Sequence, residues 1–178
     1  MARFNSPGRN QYKSYKIPQG ISGIKNFQIP KMAEYVREFC THPDIVVFSR
    51  NLVLSCPPKD IICEVETIHD FVCQHFRFVD DPVDREVIST PLRLLDEIQR
   101  NGRTSADCDE VSVLECSLLS AIGIVTRFAF GGENGEIYHV WPQALIYDEW
   151  EDLEPSGYLE PGQHYGFGYY EHLEIFDL

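Results

Sequence analysis

From Cys108 to about Ala121 the chain reads as one helix that stops at Gly123, because Val111, Leu114, Leu118 and Ile122 recur at the three- and four-residue spacing of a buried stripe. Asp107 is a candidate N-cap, and Glu110 three positions on completes a capping-box pattern. Beyond Gly123 the period changes. Residues 124–130 read as a strand, Gly131-Gly132-Glu133-Asn134-Gly135 as a hairpin turn and residues 137–146 as a second strand. Tyr147-Asp148 makes a tight turn into a third strand over 149–154, and residues 169–176 are placed to close the sheet. A buried helix joined directly to an antiparallel meander has to be covered by it, which restricts the fold to the α+β class.

The segments upstream supply helices. Residues 31–40 place Met32, Tyr35, Val36 and Phe39 at helical spacing, and residues 61–76 do the same with Val65, Ile68, Val72 and Phe76. Thr90-Pro91 starts a further helix with Leu92, Leu95 and Ile98 inward, and Gly102 ends it. Residues 45–54, rich in β-branched side chains, read as a strand or a buried segment; Pro57-Pro58 breaks the chain, and Asp80-Asp81-Pro82 marks a turn. No internal repeat interrupts this order.

At 178 residues, 43% of them apolar, the chain can bury one core and reads as one globular domain. A net charge of −13 argues against a nucleic-acid partner, and no apolar run approaches the roughly 20 residues of a membrane span. The charge divides the chain. Residues 1–30 hold Arg3, Arg9, Lys13, Lys16 and Lys25 with no acid, a basic extended arm ahead of an acidic domain over 31–178. The arm is either a solvated tail or a strap laid on its own body or on a neighbouring subunit or partner. The first ten residues lack the apolar centre of a secretory signal, so the expected location is cytoplasmic.

Six cysteines show no zinc-ligand spacing and, without a secretory signal, are expected as free thiols. Cys40, Cys56, Cys63, Cys73 and Cys116 read as small core residues. His69 and His75 share a helix but sit six apart, the wrong spacing for one face, and His164 and His172 have no carboxylate pattern, so neither a metal nor another cofactor is expected. Cys108 differs, because it opens a helix. A helix N-terminus favours thiolate, while the flanking Asp107 and Asp109 oppose it. His139 on the second strand is placed to face that sulfur. Glu154, after the two-residue turn, can reach the far ring nitrogen across adjacent strands. Asp152 is the alternative carboxylate on the same strand face. Backbone N–H groups at the helix start, that of Cys108 included, are ready oxyanion donors.

These residues resemble the transglutaminase-like superfamily, from about Cys63 to Ser156. Asp107-Cys108-Asp109 matches its nucleophile motif, and Leu118-Leu119-Ser120-Ala121-Ile122-Gly123-Ile124-Val125-Thr126-Arg127-Phe128 matches its helix-to-strand passage. His139-Val140-Trp141 and Trp150-Glu151-Asp152-Leu153-Glu154-Pro155-Ser156 match the two later motifs. Phe78-Val79-Asp80-Asp81-Pro82 and Ser89-Thr90-Pro91 are similar to the bacterial and phage-encoded branch. Glutamate stands at 154 where the family commonly has aspartate, and Ala106 where many members have glycine. The resemblance implies a papain-like cysteine-protease/transglutaminase core with Cys108 as nucleophile, His139 as base and acid, and Glu154 as orienting carboxylate. It also implies amide hydrolysis or acyl transfer on a peptide or protein through an acyl-enzyme. The alternative it implies is a catalytically silent binding or structural module, such as a phage virion or assembly component, attached through residues 1–30.

Overall fold

The structure is a computed structural model describing residues 12–15, 24–81, 86–134, 136–155 and 170–178. In the arm, β1 (Tyr12–Tyr15) pairs antiparallel with β3 (Glu86–Ser89). A single π turn (Ile24–Gln28) leads into α1 (Ile29–Phe39), followed by α2 (Pro43–Leu52), a 3-10 turn (Val53–Ser55) and α3 (Ile61–His75). Next come β2 (Phe76–Phe78), β3, α4 (Pro91–Asn101), β4 (Thr104–Ala106) and α5 (Cys108–Ser120). The chain ends in a four-stranded antiparallel sheet of order β7-β6-β5-β8: β5 (Thr126–Glu133), β6 (Glu136–Ile146), β7 (Glu149–Asp152) and β8 (His172–Asp177). The fold is therefore α+β, with the helical half leading, as the residue pattern requires. Residues 156–169, which include most of the aromatic tail and His164, and Pro82 of the expected turn lie outside the described residues.

Residues 45–54 are not a strand: 45–52 belong to α2, and 53 and 54 to the 3-10 turn that follows it. Pro43 takes a position in the first turn and the His42 ring accepts the Asp44 N–H, so the helix is capped and started before the β-branched run begins. In α4, Leu94 joins Leu95 and Ile98 in the core while Leu92 is only half-buried against it, and Gly102 closes the helix at φ 79°. Gly131 and Gly132 lie within β5, at a register shift against β6, rather than in the turn. A Cβ on Gly131 would run into the Tyr170 ring, and one on Gly132 into the main chain of Glu136. Tyr147 and Asp148 both sit at positive φ, 49° and 71°, the backbone of a two-residue hairpin turn. The short parallel pairing of β2 with β4, three residues each, carries no periodic signal.

The central element is α5. Every residue from Asp109 to Leu119 is buried, so the expected stripe is in fact a helix enclosed all round by α1, α2, α3, α4 and β6. Leu114, Leu118 and Leu119 are at most 1% exposed, and each such burial is worth about 2 kcal/mol. Enclosure traps three acids, each received by a different element. Gln28 Nε2 donates to Asp109 at 3.4 Å, the Ser89 N–H donates to Glu110 at 2.8 Å, and the His69 ring meets Glu115 at 2.8 Å.

The cysteines do not all remain free. Cys56 and Cys63 form a disulfide, their Cα atoms 5.7 Å apart, because the turn through Pro57-Pro58 brings the end of the 3-10 helix back against the start of α3. Of the others, Cys116 is a buried core residue, Cys40 is half-buried and Cys73 is exposed. No helix among the described residues is long and apolar enough to cross a membrane.

Candidate active site

The site is assembled where the first turn of α5 meets β6. Asp107 caps the helix, its carboxylate accepting the Glu110 N–H at 3.3 Å. The reciprocal half of the capping box is replaced by a bond to another strand, since Glu110 turns to the Ser89 N–H instead. Cys108 follows as the first helical residue. The Val140 N–H donates toward its sulfur, and Ser112 Oγ joins the two elements by donating to the carbonyls of Cys108 (2.6 Å) and Val140 (3.4 Å).

His139 precedes Val140 on β6. Its Nε2 lies 2.5 Å from Glu154 Oε2, and both side chains are buried, at 6% and 4% exposure. Glu154 is not on the third strand, which ends at Asp152. It lies just past it, where the Leu153 N–H donates to the Pro142 carbonyl and keeps the chain against β6. Asp152 serves a different purpose: its Oδ1 accepts the Trp141 indole N–H and the Gln143 amide, each at 2.6 Å. Trp141 in turn stacks on His139, ring centroids 5.6 Å apart, and on Tyr170 at 5.7 Å. The imidazole is therefore fixed by a carboxylate at one edge and an aromatic layer on its face. Neither Trp141 nor Tyr170 was marked by the sequence as part of the site, although alternation along β6 puts 139, 141 and 143 on one face.

The electrostatics at the sulfur differ from the simple helix-dipole expectation. Burial first, then Asp107 and Asp109, push the Cys108 thiol well above its ordinary range; the Val140 N–H opposes this and Glu154 adds to it. Burial and the neighbouring Asp109 also carry the Asp107 carboxyl up to about 11, so this pair holds a proton near neutral pH. Glu110 is raised to about 7, chiefly by burial. The resting site thus holds a protonated thiol beside an acid pair that shares one proton. Among the described residues no group of histidines, cysteines and acids is arranged to hold a metal ion.

The fold that carries this helix and strand is similar to that of proteins of known structure. The chain is similar to a candidate protease from Parabacteroides distasonis, at 14% identity and TM-score 0.53 over 72% of this chain and 26% of that one. It is also similar to a candidate cysteine protease from Cytophaga hutchinsonii, at 14% identity and TM-score 0.50 over 82% of this chain and 49% of that one. The shared feature is the papain-like core fold, and the chain spans from about a quarter to about half the length of these relatives. None of the curated proteins matches the sequence. The sequence model of the transglutaminase-like superfamily matches residues 50–155, which run from the end of α2 through Cys108 and His139 to the residue after Glu154. The chain belongs to the transglutaminase-like superfamily.

Proposed function

We propose that the chain is a thiol-dependent amide hydrolase or acyl transferase acting on a peptide or protein, with Cys108 as nucleophile, His139 as base and acid, and Glu154 as orienting carboxylate. The observation that carries this reading is the buried 2.5 Å pairing of His139 Nε2 with Glu154, next along β6 to the Val140 N–H that contacts the Cys108 sulfur. The burial of an imidazole and a carboxylate together, one strand position from the N–H that reaches a helix-start thiol, supports this reading.

The chemistry follows from the resting state. Because the thiol is held protonated, its proton passes to His139 as the sulfur attacks the amide carbonyl, and a standing ion pair is not required. With Nε2 committed to Glu154, that transfer runs through Nδ1. The Cys108 N–H at the helix start is placed to receive the developing oxyanion. His139 then protonates the departing amine, leaving a thioester on Cys108, and water or a second amine resolves it. Hydrolysis and acyl transfer share every step up to that thioester and differ only in the acceptor.

Screening a peptide library with hydroxylamine present as a competing acceptor tests this reading. Active protein yields hydroxamates or new carboxyl termini. Glu154→Gln should lower turnover by roughly a hundredfold or more and Glu154→Asp should restore part of it. Absence of turnover, with Cys108 labelling that ignores His139→Ala, would instead favour a silent binding module attached through residues 1–30.

A further inference from the structure

A second thiol, imidazole and carboxylate meet away from Cys108, on the contact between α3 and α5. His69 and Cys73 stand four apart on α3 and so share a face. The Cys73 sulfur lies 3.5 Å from His69 Nε2 and 3.9 Å from Nδ1, and Nδ1 lies 2.8 Å from Glu115 Oε1. Glu115 is fully buried, and its second oxygen, Oε2, has no hydrogen-bond partner among the described residues. A carboxylate so placed needs a cation beside it. Burial works against charge on His69, but Glu115 and then the Cys73 sulfur outweigh it and carry the imidazolium up to about 11. The ring is therefore a cation across the neutral range, and Cys73, unlike the core residue expected from sequence, is exposed.

What such a thiol can do is limited by its place in the fold. Residues 69–73 lie inside a helix, so their N–H groups are committed to helical bonds and offer nothing to an oxyanion. Acyl chemistry is not served there. Thiol–disulfide exchange needs only an accessible sulfur and stabilisation of its charge as it attacks.

We propose that Cys73 is a modification site for small disulfides, with His69, held by the buried Glu115, as the positioning residue. The Cys73 sulfur, its proton released to solvent, attacks one sulfur of R–S–S–R. A Cys73–S–S–R bond forms, the original S–S bond breaks, and RS⁻ leaves and takes up a proton. The protein thiol is oxidised, the reagent disulfide is reduced, and a free thiol reverses the step.

The full-length chain, treated at neutral pH with the uncharged bis(2-hydroxyethyl) disulfide and read by peptide mapping at timed quenches, decides the matter. Cys73 should be the first residue modified, at least roughly tenfold faster than Cys40, a half-buried thiol of the same chain. His69→Gln and Glu115→Gln should each slow exchange at Cys73 by roughly tenfold while leaving Cys40 unchanged. Equal rates at Cys73 and Cys40 in the native chain would overturn the proposal, as would fast exchange at Cys73 that ignores both substitutions. The native rate ratio stands even if a substituted chain fails to fold.

Discussion

The chain assembles a thiol, an imidazole and a carboxylate twice, and it buries them in opposite senses. At Cys108 the His139–Glu154 pair is sealed, and burial with two neighbouring aspartates keeps the thiol protonated. At Cys73 only the carboxylate is sealed, the ring is a standing cation and the sulfur faces solvent. The backbone separates their uses. Cys108 opens a helix, where its own N–H has no place in the intrahelical ladder, whereas Cys73 sits inside one. On the readings proposed above, the same three groups serve acyl chemistry in one place, with activation deferred until substrate arrives, and simple sulfur exchange in the other.

The largest expected effect separates the two thiols by activity. Cys108→Ala should reduce amide turnover by roughly a thousandfold or more, while Cys73→Ser should leave it within about twofold. Turnover measured with any substrate found in the library screen checks both. Equal losses from the two substitutions would erase the distinction.

Stability gives the next contrast. Removing His69 strands Glu115, a fully buried carboxylate, and His69→Ala should cost about 3–5 kcal/mol in urea unfolding. Replacing both partners, as in His69→Met with Glu115→Leu, should recover most of that loss, because no uncompensated charge remains. If the double substitution is as unstable as the single one, the pair matters through packing rather than charge.

How far the sequence revealed these arrangements depends on the distance between partners. The pairing of His139 with Glu154 and the helix start at Cys108 follow from a hairpin and a capping pattern, both local, and Asp107 reads as a cap for the same reason. The buried acids of α5 were not legible. Asp109, Glu110 and Glu115 resemble the polar face of an amphipathic helix, and what receives them lies 81, 21 and 46 residues away. Cys73 illustrates a finer limit. The stripe of Val65, Ile68 and Val72 fixes the inward face of α3, and one further position turns Cys73 off that stripe and onto the face of His69. The Cys56–Cys63 bridge depends on a turn geometry that no cysteine spacing of this length encodes.

A pH titration sharpens the contrast at the acid-rich end of α5. Glu110 has a folded pKa of about 7 against an ordinary 4.5, so the folded chain holds the proton more tightly than the unfolded one. Its contribution is fully present below pH 4.5 and is lost as pH rises through 7, a change of up to about 3 kcal/mol. Thermal unfolding should show stability falling from pH 5 to pH 8, with Asp107, carried up to about 11, contributing throughout. Glu110→Gln should make the slope shallower below about pH 7 without abolishing it. Cys73→Ser, remote from those acids, should leave the slope unchanged. A slope below pH 7 that Glu110→Gln does not reduce would assign the whole effect to the Asp107–Asp109 pair instead.

The smallest effect distinguishes two carboxylates at one site. Asp152 holds Trp141 and Gln143 through a single oxygen, and Trp141 lies on the face of His139. Asp152→Asn keeps an acceptor oxygen at that position and removes only the charge, which weakens two charge-assisted bonds to ordinary ones. The expected cost is about 1 kcal/mol in stability, a small shift in tryptophan emission and turnover within roughly threefold of the parent chain. Glu154→Gln removes the anion that stabilises the imidazolium formed during attack, so its loss should fall on kcat. If Asp152→Asn lowers kcat as far as Glu154→Gln does, then both carboxylates share the imidazolium's charge through the stacked indole. In that case the orienting role belongs to the pair and not to Glu154 alone.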